Sequence, residues 1–149
     1  MIEAALLPPG TPAPGFTLTA SDGSVVSLAQ VLEPWGVVLV FYPGNHTPMC
    51  DRQLQEMKDE FAHYRTAGLT LFGINPASVD DHREYAASLG LPFLLLSDPG
   101  LTAAREWHAA SPTGDQVTRT VYLVDRSGLV RFGARGMPGA DIILEVLEA

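Results

Sequence analysis

The chain of 149 residues carries 9 Lys and Arg against 17 Asp and Glu, a formal charge of −8, and is 46% apolar and 17% charged. This is the composition of a globular chain of one-domain size, with a core large enough to need no covalent staples. A single cysteine, Cys50, excludes an internal disulfide framework, one cysteine with four scattered histidines makes no structural zinc site, and the acidic balance argues against nucleic acid and anionic membrane surfaces.

The opening MIEAALLPPG carries Glu3 and lacks a basic leader region, and no stretch reaches transmembrane length, so a cytoplasmic, reducing setting is expected. Leu7 to Gly15 is loop, broken by Pro8, Pro9, Gly10, Pro12 and Pro14. FTLTA and VVSL flank Ser21-Asp22-Gly23-Ser24 and predict two short strands joined by a turn. Leu28 to Leu32 predicts a helical turn. Val37 to Tyr42, apolar throughout, predicts a strand buried on both faces at the centre of an α/β sheet.

Pro43 and Gly44 end that strand. A helix is expected from about Pro48 to Ala67, with Leu54, Met57, Phe61 and Tyr64 as one apolar stripe and Gly68 as its stop. Leu69 to Ile74 predicts a strand. Val79 to Leu89 predicts a helix, with Ser78 as N-cap and Gly90 at its end. A short strand follows at Phe93 to Leu96, then a short helix at Leu101 to His108. Thr118 to Val124 predicts a strand, Asp125 to Gly128 a turn, Leu129 to Phe132 its hairpin partner, and Asp141 to Leu147 a terminal amphipathic helix. The order implies a central mixed sheet with helices on both faces.

Ligand chemistry in such sheets sits beyond the carboxyl ends of the strands. There the sequence reads Pro43-Gly44-Asn45-His46-Thr47-Pro48-Met49-Cys50. Thr47 as N-cap and Pro48 as N1 make Cys50 the N3 residue, whose backbone N–H an N-cap oxygen accepts. A helix N-terminus favours a thiolate over a thiol. From position alone, two readings of Cys50 stand level: a reactive thiol and a small buried hydrophobe.

Pro43-xxx-Thr47-xx-Cys50 after a strand ending Phe41-Tyr42 resembles the active-site signature of the peroxiredoxins. FYPGNHTPMC is most similar to the peroxiredoxin Q, or bacterioferritin comigratory protein, subfamily. The likeness extends through GTPAPGFTL, Asp22-Gly23, Val26-Ser27-Leu28, FLLLSD at Phe93 to Asp98 and RTVYLVD at Arg119 to Asp125; Gly15 stands where an acidic residue is usual.

The resemblance implies a thioredoxin-like α/β fold over residues 1–149 as a single domain, with an N-terminal β-hairpin extension. It implies a thiol peroxidase that reduces hydrogen peroxide and organic hydroperoxides without cofactor or metal. Cys50 would be the nucleophile, Thr47 would hydrogen-bond the peroxide, Pro43 would shield the sulfur, and Arg119 would hold its guanidinium beside the thiolate. Gln53 would brace Arg119; its bland alternative is a solvated helix residue. Relatives often carry a resolving cysteine five residues after the first, where this chain has Gln55, so an external thiol would resolve the sulfenic acid. The implied partners are peroxide and a reductant (thioredoxin, glutaredoxin or a low-molecular-weight thiol), and the chain is expected to be a monomer.

Other readings are weaker. A thiol–disulfide oxidoreductase would need a second cysteine at position 47, and a redox sensor or scaffold would turn over little. His46 is near enough in sequence to pair with Cys50, but a loop position is the simpler expectation. His63, His82 and His108 are expected at the surface or at helix ends, Asp59-Glu60 and Asp80-Asp81 on solvated helix faces, and Trp35 and Trp107 in the core. Arg126, Arg131 and Arg135 follow the turn and are expected to face away from the strand start that holds Arg119.

Overall fold

The computed structural model describes residues 4–148; Glu3, and with it part of the reading of the amino terminus, lies outside them. Seven strands form one mixed sheet: β1 (Thr17–Ala20), β2 (Val25–Ser27), β3 (Gly36–Phe41), β4 (Leu69–Asn75), β5 (Leu94–Ser97), β6 (Thr120–Val124) and β7 (Val130–Arg135). Their spatial order is β2-β1-β5-β4-β3-β6-β7. The helices are α1 (Leu28–Val31), α2 (Pro48–Asp59), α3 (Phe61–Thr66), α4 (Val79–Leu89), α5 (Thr102–Glu106) and α6 (Ala140–Glu148). Among the described residues, no helix is long and apolar enough to cross a membrane.

The unbroken apolar run of β3 has its expected consequence: all six residues are buried. Its side chains alternate between two cores. Val37, Leu39 and Phe41 pack with Trp107, Tyr122 and Val130 on one face. Val38 and Val40 pack with Cys50, Leu54, Tyr64 and Ile143 on the other. β3 runs parallel to β4 and antiparallel to β6, with Phe41 opposite Ile74 on one side and Thr120 on the other. The antiparallel pairing brings the end of β3 against the start of β6, so residues 43–50 and Arg119 leave the sheet at one end.

Element boundaries depart from expectation where distant partners intervene. The helix expected over 48–67 is two, α2 and α3, broken at Glu60 (φ −93°, ψ 0°). Glu60 there accepts a hydrogen bond from the Ala140 N–H at 3.0 Å and so satisfies the first turn of α6, while Tyr64 stays in the core. Residues 118–119 lie outside β6 because the Thr118 N–H donates to Ala109 O at 2.7 Å rather than into the sheet. The helix expected from Leu101 opens instead with a 3₁₀ turn at Pro99–Leu101, and Leu101 itself is left-handed (φ 60°). Trp107 is fully buried as expected, with Tyr122 Oη donating to its carbonyl at 2.7 Å. Trp35 is half-buried beneath the Arg65 guanidinium, 4.4 Å from the ring centroid.

Asp98 tethers the end of β5 to α5. Its buried carboxylate accepts from the Ala103 and Ala104 N–H groups, each at 3.0 Å. Asp98→Ala strands both donors where water does not reach, and a loss of roughly 1–3 kcal/mol is expected. The urea midpoint of the variant measures it, and an unchanged midpoint would refute the cap.

Candidate active site

The segment from Tyr42 to Cys50 turns out of the sheet and straight into α2. Thr47 is extended (φ −112°, ψ 146°), and its Oγ1 accepts from the Cys50 N–H at 3.3 Å. Pro48 opens the helix, and the Asp51 N–H donates to Thr47 O at 2.8 Å. Cys50 is therefore the N3 residue anticipated from spacing. Its side chain is 1% exposed and packs against the apolar layer that holds Val40, Leu54 and Val121.

Arg119 approaches from the start of β6, 69 residues away in sequence. Its Nη2 donates to Cys50 Sγ at 3.2 Å, and its Nη1 donates to Gln53 Oε1. Gln53 is 2% exposed, which removes the solvated alternative, and its Nε2 has no hydrogen-bond partner among the described residues. One guanidinium thus spans the sulfur and a neutral acceptor one helical turn further on. Pro43 and Thr47 line a surface groove of about 330 Å³ with Gly44, Pro76, Asp115 and Val117. Hydrogen bonds from Thr113 Oγ1 and Ser111 Oγ hold the Asp115 carboxyl below its ordinary range, so a fixed negative charge sits on the groove rim.

Three sequence expectations need correction. His82 is fully buried, not at the surface. Arg135 stands opposite Thr120 in the sheet and donates to Thr120 Oγ1 and to His108 O, both at 2.7 Å, so it lies at the strand start. Asp81 does not belong to a simple solvated face: it bonds His46 Nε2 at 3.2 Å and the Asn45 amide at 2.8 Å. His46 accordingly turns to α4 rather than to the thiol, and its ring packs edge-on against Tyr85 with centroids 4.8 Å apart.

The residues that sequence reasoning missed form a polar network behind the cysteine loop. Tyr42 Oη and Asn75 Nδ2 donate to Asn45 Oδ1 at 2.7 and 3.1 Å. Asn45 Nδ2 meets Asp81 Oδ2 and, at 3.2 Å, His82 Nδ1. Tyr85 Oη donates to Asp51 Oδ1 at 2.6 Å, in the first turn of α2. Burial pushes the phenols of Tyr42 and Tyr85 well above their ordinary range, so both stay protonated donors at neutral pH. No periodicity or motif marks these contacts; Asn45 and Asp81 are 36 residues apart.

Comparison with known proteins places the chain among relatives. The AhpC/TSA family model matches residues 9–132. A chloroplastic peroxiredoxin Q of Triticum aestivum is 36% identical over 124 residues, covering 83% of this chain and 57% of that protein. The chain thus spans little more than half the length of such plant relatives. A putative peroxiredoxin of Mycobacterium tuberculosis is 35% identical over 136 residues, covering 87% of this chain and 86% of its own. The crystal structure of peroxidoxin BcpB from Mycobacterium tuberculosis shares the fold with a TM-score of 0.86 at 24% identity, covering 94% of this chain and 96% of that one. The seven-stranded sheet with its flanking helices is accordingly the thioredoxin-like fold.

Burial holds the His82 imidazole below its ordinary value of 6.5. The unfolded chain then binds this proton more readily than the folded one, so the contribution to stability is full above about pH 6.5 and declines as pH falls below it. Urea midpoints measured from about pH 7 down to about pH 5 should fall for the wild type and fall less steeply for His82→Gln. Equal slopes would refute a buried neutral His82.

Proposed function

Because this chain belongs to the AhpC/TSA family, we propose that it is a thiol-dependent peroxidase that reduces hydrogen peroxide and organic hydroperoxides through Cys50. The observation that carries this reading is the contact of Arg119 Nη2 with Cys50 Sγ at 3.2 Å, made at the N-terminus of α2. A guanidinium and a helix N-terminus both favour negative charge on sulfur.

The thiolate attacks one peroxide oxygen and forms the S–O bond as the O–O bond breaks. Sulfur is oxidised by two electrons. The other oxygen leaves with the bonding pair and takes a proton to become water or an alcohol. Arg119, permanently charged with fixed donors, holds the peroxide in line and stabilises the charge on the leaving oxygen. The Thr47 hydroxyl accepts from the Cys50 N–H and keeps its own proton to donate to the peroxide. Gln53 fixes the guanidinium plane, and Pro43 narrows the approach to the sulfur.

The 149 residues contain one cysteine, so the sulfenic acid is resolved from outside. A reductant thiol displaces hydroxide from sulfur as water, giving a mixed disulfide, and a second thiol releases Cys50. Thioredoxin, glutaredoxin or a small thiol fits this role, with the chain acting as a monomer in the cytoplasm. The oxidoreductase alternative has no second thiol: position 47 is a threonine engaged as a helix cap. A slow-turnover redox sensor is favoured by one observation, the 1% exposure of Cys50, which restricts entry of a reductant.

Intact mass of the reduced protein after one equivalent of hydrogen peroxide should show a rapid gain of one oxygen, reversed by a small thiol and absent in Cys50→Ser. Reaction no faster than a free thiol would end the peroxidase reading. Fast oxidation with negligible turnover on thioredoxin, glutaredoxin or a small thiol would favour the sensor. Arg119→Lys should slow oxidation by about 10²-fold, the usual loss for one charge-stabilising donor.

A further inference from the structure

The loop that leads into α2 is fastened to α4 through one amide. Asn45 Oδ1 accepts from Tyr42 Oη at 2.7 Å and from Asn75 Nδ2 at 3.1 Å. Asn45 Nδ2 donates to Asp81 Oδ2 at 2.8 Å and faces His82 Nδ1 at 3.2 Å. The orientation of this amide is fixed by chemistry. Asp81 is a partly exposed carboxylate that also meets His46 Nε2 at 3.2 Å, and an ionised carboxylate only accepts. Nδ2 must therefore point at Asp81, and His82 Nδ1 must be the unprotonated ring nitrogen. Both N–H groups and both lone-pair directions of the amide are occupied. Asn75 is pinned in turn, because its Oδ1 accepts from the Ala77 N–H at 2.9 Å.

The next residue, His46, is left-handed (φ 62°), a backbone state that a side chain with a Cβ adopts only where its surroundings hold it. Its ring is held by Asp81 at 3.2 Å and by Tyr85, which also grips Asp51. α4 thus holds the chain on both sides of Thr47 and Cys50: at Asn45 and His46 before them, at Asp51 after them.

We propose that Asn45 is a positioning residue: its fully bonded amide locks Pro43 to Thr47 onto β3, β4 and α4, and so holds the Thr47 hydroxyl and Cys50 in line with Arg119. The inference rests on the peroxidase reading. No other side chain of similar size supplies the same set. Aspartate at 45 turns a second acceptor toward the Asp81 carboxylate, and alanine leaves the buried Tyr42 and Asn75 groups without their acceptor.

The test uses two rates on the full chain. Oxidation of Cys50 by hydrogen peroxide requires the aligned donors as well as the thiolate, whereas alkylation by iodoacetamide reads the accessible thiolate alone, so the ratio of the two rates isolates alignment. In Asn45→Ala and Asn45→Asp, oxidation should fall roughly tenfold to a hundredfold while alkylation changes by no more than about threefold, the pattern of lost alignment. Tyr42→Phe removes one of the four bonds and keeps the ring; it should shift the ratio of the two rates in the same direction by a smaller factor, and it carries the test if the Asn45 variants do not fold. Parallel changes in both rates, or a preserved oxidation rate in a folded variant, would overturn the positioning role alone. A wild-type thiol that oxidises no faster than free cysteine would overturn the peroxidase reading and this inference with it.

Discussion

The site depends on the register between β3 and β6. β3 lies between a parallel and an antiparallel neighbour, and pairing Phe41 with Thr120 sets the exit of one strand beside the entry of the other. A slip of one residue would exchange the two faces of β3, sending Val38 and Val40 to the Trp107 layer and away from Cys50. Because both faces are closely packed, a slip would misfit two cores at once, and this packing holds the register. Arg119 then needs no long excursion to meet Cys50; it is the residue immediately before β6.

The chemistry is sharpened by what surrounds that contact. Cys50 and Gln53 are buried almost completely, so the guanidinium acts where water screens it little. The acceptor on its other arm is an amide and not a carboxylate. Gln53 accepts from the guanidinium without cancelling its charge, so the full positive charge faces the sulfur. Glycine contributes at one remove. A Cβ on Gly73 would stand 3.0 Å from the Tyr42 ring and 2.7 Å from Leu95. Its absence gives Tyr42 room to lie flat and present its hydroxyl to Asn45.

Much of this was legible in the chain. The run from Val37 to Tyr42 dictates a central strand because every residue is apolar. The Thr47-Pro48 pair dictates a helix start because of what caps and N1 positions require, and that alone set Cys50 at N3. Resemblance to the peroxiredoxins directed attention to Arg119, which no local rule could bring to Cys50. Most of what escaped has one cause: the partner lies far away in sequence. His82 sits on a helix whose acidic neighbours suggest solvent, and only the packing of α4 against the loop buries it. Glu60 looks like one more charge on a long helix until the Ala140 N–H arrives to donate to it. Asp98 is local, but a helix expected to open at Leu101 hid its capping role.

The 69-residue gap between Cys50 and Arg119 also orders events in time. Loop-closure entropy delays contacts between distant residues, and a chain is synthesised from its amino terminus. β3, α2, β4 and α4 can all be in place while β6 is still missing from the sheet. Through that interval the thiol sits at its helix terminus without a guanidinium. The site therefore closes with the docking of β6, the same event that brings Val121, Tyr122, Leu123 and Val124 into the two cores.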